Sequence, residues 1–121
     1  MQLEGSIEKA WGQERTFVSN SNYCGKLLKF NTGAKGAMHY HAIKEETWYV
    51  LSGKFKVRTI NTQTAQQVEL LIQEGNTWTN SPLVPHQLEC IEEGVVIEVS
   101  TVEDLTDTYR ILPGSEVQDP S

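Results

Sequence analysis

Residues 33–53 read GAKGAMHYHAIKEETWYVLSG, and the fold follows from this run. His39 and His41 are two apart, Glu46 follows, and Gly53 closes the stretch. Side chains two apart on an extended strand share a face, which puts His39 and His41 together and Met38 and Tyr40 opposite. The remaining histidine, His86, ends the segment NSPLVPH well downstream. All 3 histidines of the chain therefore fall in one pattern. Paired imidazoles, a carboxylate and a distant imidazole form a donor set for one divalent transition metal, with Zn, Mn, Ni, Co or Fe all compatible. Three His and one Glu around a six-coordinate ion leave about two positions for water or substrate.

Outward from this run, short β-prone segments alternate with turn signals. Tyr23–Phe30, Ala37–His41 and Glu46–Leu51 read as strands. Ser52-Gly53 reads as a hairpin turn, and Lys54–Ile60 alternates Phe55, Val57 and Thr59 against Lys54, Lys56 and Arg58. Val68, Leu70 and Ile72 mark a further strand, and Trp78 sits in another. Pro82 and Pro85 exclude a central strand just before His86. His86, Leu88 and Cys90 share a face. A turn at Glu92-Glu93-Gly94 precedes a strand with Val95, Ile97, Val99 and Thr101 on one side. Eight or nine short strands without a helical pattern imply an all-β sandwich or barrel.

The chain of 121 residues fits a single domain, 1–121, with a core of about 14–111, an irregular arm at 1–13 anchored by Trp11, and a frayed polar tail at 113–121. A formal net charge of −6, with dispersed acids, argues against nucleic-acid partners and anionic membrane surfaces. No apolar run is long enough for a membrane helix and MQLEGSIEK is not a signal peptide, so the expected location is the cytoplasm. Cys24 and Cys90 form no disulfide framework and read as reduced thiols.

The central run resembles the first cupin motif, with Gly33, His39, His41, Glu46 and Gly53 in register. Gly75 and His86 match the second motif in part; Ser81, Leu83 and Cys90 replace its usual Pro, Gly and Asn. EKAWGQE, YCGKLL, KEETWYVLSGK and EVST, with Asp107, Arg110 and Ile111, are similar to the C-terminal cupin domain of bifunctional mannose-6-phosphate isomerase/mannose-1-phosphate guanylyltransferase enzymes. The resemblance runs from about Glu8 to Ile111 and departs from that pattern at Val102 and in lacking a terminal YGR. It implies a cupin double-stranded β-helix, or jelly-roll barrel, that forms a homodimer. The metal ligands would be His39, His41, Glu46 and His86.

The activity it implies is metal-dependent isomerisation of a sugar or sugar phosphate of the mannose-6-phosphate isomerase type. Aldose–ketose exchange needs a base near the reacting C–H, and Glu98, Lys26 and Glu45 are the candidates. Each is as readily an ordinary surface charge. A phosphate would need a cation such as Arg110, Arg58 or Lys44, although Arg110 could equally pair with Asp107 at the surface. Trp48, Tyr49 or Trp78 could line a sugar pocket, but aromatics are more often core or interface. Trp48 and Tyr49, being adjacent, must face opposite ways. Cys90 is either a soft neighbour to the metal or a small buried hydrophobe. Two other classes fit the same residues: a non-catalytic cupin that binds a small sugar or acid, and a metal-dependent oxygenase or decarboxylase.

Overall fold

The computed structural model describes residues 5–114. It is all-β, with 61% strand, and holds no helix among those residues. The strands are β1 (Ile7–Lys9), β2 (Gly12–Ser19), β3 (Cys24–Phe30), β4 (Met38–Tyr40), β5 (Glu46–Ile60), β6 (Gln67–Gln73), β7 (Thr77–Asn80), β8 (His86–Ser100) and β9 (Tyr109–Leu112). Every pairing is antiparallel.

Two strands of 15 residues, β5 and β8, organise the barrel. The end of β8 lies between β3 and the start of β5, and this layer continues through β2 to β1 on one side and to β7 on the other. The start of β8 lies against the end of β5, flanked by β6 and by β4 with β9. Each long strand thus belongs to both layers.

This arrangement corrects two expectations. Ser52-Gly53 is not a hairpin turn, and Glu92-Glu93-Gly94 does not separate two strands. Both are bends in continuous strands, and they lie against each other where the ladder slips register. Gly53 takes a φ of 88°, and a Cβ there would meet the Glu92 carbonyl and Gly94 Cα at 2.7 Å. A bulge tightens the local twist, so the paired bends turn both strands from one layer into the other.

In the arm, β1 and the first residues of β2 form sheet. Trp11 explains this: it is buried and stacks on Phe30 with ring centroids 4.4 Å apart. Burying a large aromatic stabilises by about 1.5–3 kcal/mol, enough to fix a short segment. Phe55, Val57, Ile72 and Leu88 fill the core from the other layer, as their alternation indicates. Cys90 belongs to this core, is a free thiol like Cys24, and burial pushes its pKa up to about 11. The expected fraying of the tail falls mostly on residues 115–121, outside the described residues.

Along the end of β8 the apolar side faces outward. Val99 is 50% exposed, whereas Val96, Glu98 and Ser100 point inward. The inner face here carries polar rungs because it borders the histidines.

Candidate metal centre

Two rungs cross the inner face of the first layer. Cys24, Ser100, Glu46 and Asn80 stand opposite one another on β3, β8, β5 and β7. The next rung holds Lys26, Glu98, Trp48 and Trp78. From the other layer, His39 on β4 pairs with His86 on β8, and His41 follows at the end of β4. One ligand atom from each of His39, His41, Glu46 and His86 lies within 4.8 Å of the others, and all four residues are buried.

The backbone sets the ring orientations. His39 Nδ1 lies 2.9 Å from the Ala37 carbonyl, His41 Nδ1 2.7 Å from the Asp107 carbonyl, and His86 Nδ1 3.0 Å from the Val84 carbonyl. A carbonyl only accepts, so each Nδ1 carries the proton and donates. Each Nε2 then presents its lone pair to the centre. None of the three Nε2 atoms has a hydrogen-bond partner among the described residues, nor does Glu46 Oε1, and all are buried. Glu46 Oε1 lies 3.1 Å from His41 Nε2 and 3.2 Å from His86 Nε2. Four convergent donors without protons between them fit a divalent transition metal, and the Nδ1 bonds are the outer contacts that hold such ligands in line.

The electrostatics agree. Burial would raise the Glu46 carboxyl, but His41 and His86 outweigh it and hold the group well below its usual range. Burial and the neighbouring His86 lower His39 to about 4. Burial opposes charge on His41 too, but the Glu46 carboxylate wins and raises it.

The loop between the ligands is fastened from the far end of the chain. Asp107 is buried, and its carboxylate accepts from the backbone N–H groups of Ala42, Ile43 and Lys44 at 2.8, 3.1 and 3.0 Å. Its carbonyl orients His41. The turn before His86 keeps its course despite the missing motif glycine: Leu83 adopts a φ of 70° and its N–H donates to the His41 carbonyl at 2.7 Å.

The other candidates separate. Glu98 and Lys26 are not surface charges: Glu98 is 2% exposed and Lys26 3%. Glu98 accepts from Trp48 Nε1 at 3.1 Å and from Lys44 Nζ at 3.5 Å. Burial and the adjacent Glu46 raise its pKa well above the usual value. Lys44 is buried between Glu98 and Glu103, and Lys26 reaches Glu14 and the same Glu103. An isolated buried charge would be costly, so these groups are tolerable only as a network. Glu45 is exposed and lines an outer groove with Tyr23 and Thr47. Arg110 is exposed although its backbone pairs with His39. Arg58 pairs with Glu69 and Glu89, and Cys90 sits in the core instead of the cluster.

A cavity of about 20 Å³ opens beside the cluster, walled by Leu28, Ala37, His39, Trp48, Leu88 and Glu98 among others. Trp48 is buried, with its ring 5.6 Å from that of His86, while Tyr49 is 40% exposed on the outer face. Asn80 and Asp107 were not legible as site residues. The inward phase of Trp78 and Asn80 on β7 marks Asn80 in retrospect; Asp107 stands out only in the tail that resembles the family, and the loop it holds lies more than sixty residues away.

No family model matches this sequence, and no curated protein matches it. Solved structures do match in fold. An RmlC-like cupin from Shewanella frigidimarina superposes with a TM-score of 0.66 at 22% identity, over 75% of this chain and 76% of its own. KdgF from Halomonas sp. gives 0.64 at 19%, over 76% and 79%. An oxalate decarboxylase variant from Bacillus subtilis gives 0.76 at 19%, over 88% of this chain; the chain spans 30% of that enzyme's length. No helix among the described residues is long and apolar enough to cross a membrane. With its antiparallel strands, two long shared strands and buried cluster of three histidines and a glutamate, the chain has the cupin fold.

Proposed function

We propose that the protein is a metal-dependent enzyme whose single divalent transition ion is held by His39, His41, Glu46 and His86 and whose substrate is a small oxygen-donor molecule. The observation that carries this reading is the convergence of three imidazole lone pairs and one carboxylate oxygen, all buried and without other partners. When bound, the ion supplies a Lewis acid with open coordination positions.

The side chains contribute the rest. The three Nδ1–H groups keep the imidazoles in the ligating tautomer, and Glu46 brings the negative charge. Glu98 is the group that holds or gives up a proton. It borders the cavity, and burial beside Glu46 pushes its pKa well above the usual carboxylate value, against the lowering pull of Lys44 and Lys26. Leu28, Ala37 and Leu88 exclude water from that wall. The cavity beside His39 holds roughly one water-sized group. The name of one structural neighbour, oxalate decarboxylase, gives a substrate of small carboxylate type and favours the decarboxylase or oxygenase class.

Sugar or sugar-phosphate isomerisation of the mannose-6-phosphate isomerase kind would use the same metal and the same Glu98. It is less well supported, because Lys44 is committed to Glu98 and Glu103 and the Arg110 side chain is exposed. A non-catalytic binder would need no proton carrier, and the buried Glu98 speaks against it.

The outward face of β5 and β8, with Tyr49, Leu51 and Val99 exposed, supports a homodimer formed through this sheet. The test of the metal reading is elemental analysis of protein purified without added metal or chelator, beside His86→Ala. About one equivalent of a transition metal that the variant loses supports the site. Protein that stays metal-free after reconstitution refutes it. Incubating loaded protein with oxalate and with mannose 6-phosphate, and following carbon dioxide release and solvent deuterium uptake at carbon, separates the reaction classes.

A further inference from the structure

Asn80 sits in the rung of Glu46, directly opposite it across the β5–β7 ladder, and both side chains point into the barrel. Residues opposed in this way have Cβ atoms about 4.5–5.5 Å apart. Asn80 is 3% exposed. Its amide has only one possible orientation. Trp78 Nε1, an obligate donor, lies 2.8 Å from Asn80 Oδ1. The oxygen therefore faces back along β7 towards Trp78, and Nδ2 faces the other way. Nδ2 is buried and has no hydrogen-bond partner among the described residues.

A buried amide donor without an acceptor is rare, because desolvating it is unfavourable unless something accepts its protons. Four of the other orphaned buried atoms are the metal donors themselves, and Glu46, which carries one of them, faces Asn80 across the ladder. An ion coordinated by those four would satisfy them and leave Nδ2 still unmatched. What would match Nδ2 is an oxygen held next to the ion.

We propose that Asn80 is a substrate-binding residue whose Nδ2–H group donates to a carboxylate oxygen lying in the open coordination positions of the metal. This rests on the metal reading above and adds to it a specificity: an amide N–H selects an acceptor oxygen over an amine or ammonium.

The test uses cobalt(II)-loaded protein, with acetate as the probe and visible absorption as the readout. Wild type, Asn80→Leu and Asn80→Asp are compared, with Asn80→Ala standing in if the leucine variant does not fold. Cobalt affinity is measured separately for each by competition with a chelator. The expected result is that Asn80→Leu weakens acetate by about tenfold or more, the usual worth of one charge-assisted hydrogen bond, while cobalt affinity stays within about threefold. Asn80→Asp weakens acetate further, through repulsion of like charges. Acetate affinity unchanged within about threefold in the leucine or alanine variant overturns the proposal. So does a parallel fall in cobalt affinity, which would mean that the amide supports Glu46 instead. Wild type that binds cobalt but not acetate also overturns it, leaving the metal site standing. Wild type that takes up no cobalt refutes the metal reading itself, before any variant is compared.

Discussion

Replacing Asp107 by Asn should destabilise the protein without touching a ligand. The carboxylate accepts three backbone N–H groups of the ligand loop at 2.8, 3.1 and 3.0 Å. A hydrogen bond to a charged group contributes about 1.5–3 kcal/mol, and three on one carboxylate are not additive. The amide keeps one acceptor oxygen and turns a donor towards the remaining N–H groups. A loss of about 3 kcal/mol follows, and roughly 10 °C in Tm for a domain of this size. Burial alone would raise the Asp107 carboxyl, but the bonds from the backbone N–H groups of Lys44, Ala42 and Ile43 hold it below its ordinary value. A lowered folded-state pKa means that the stabilisation is complete above the unfolded-state value and is lost as pH falls through the folded one. Urea unfolding of metal-free wild type and Asp107→Asn should therefore show a gap that is widest at neutral pH and narrows below about pH 4. A difference under about 1 kcal/mol at pH 7, or one that does not narrow in acid, would refute this account of the loop.

Four further outcomes are expected. Metal affinity should fall about tenfold per pH unit once His41 protonates, and because Glu46 raises His41 above 6.5 the decline should begin above that pH in a chelator-competition titration. Lys44→Met should cost about 3 kcal/mol in urea unfolding, since the buried Glu98 loses the ammonium that donates to it and Glu103 keeps only Lys26, and adding Glu103→Gln should recover part of the loss. Leu83→Asn should stabilise by about 0.5–1 kcal/mol, because Leu83 is 59% exposed and held at a φ of 70° that asparagine tolerates better; equal or lower stability would count against strain at this turn. Val99→Lys, placed in the apolar outer face, should convert a dimer into monomers in light scattering while leaving metal content unchanged.

The local parts of this molecule were legible in the sequence. His39, His41, Glu46 and His86 follow from spacing, and the alternation over Lys54–Ile60 gives the inward phase of Phe55 and Val57. What sequence could not supply was long-range partnership. Gly53 and Gly94 each look like a turn until they are seen stacked as facing bends. Glu98, Lys26 and Lys44 carry charges that normally stay in water, and only their mutual pairing across β3, β8 and the ligand loop allows them inside. The same is true of Val99, whose apolar side chain suggests burial while its strand phase turns it outward.

The shared strands have a mechanical consequence. Glu46 begins β5 and His86 begins β8, at opposite ends of the ladder that the two strands form, where Glu46 pairs with Ser100 and His86 with Thr59. The thirteen steps from Glu46 to Thr59 span about 43 Å of extended chain at about 3.3 Å per residue. Yet Glu46 Oε1 lies 3.2 Å from His86 Nε2. The ladder is a ribbon curled until its two ends meet, and an ion bound there would act as a clasp. Fastening it would tie distant ends of the chain into one loop of tension. Amide exchange should then slow together at Thr47 and Gln87, residues in opposite layers, as metal is added.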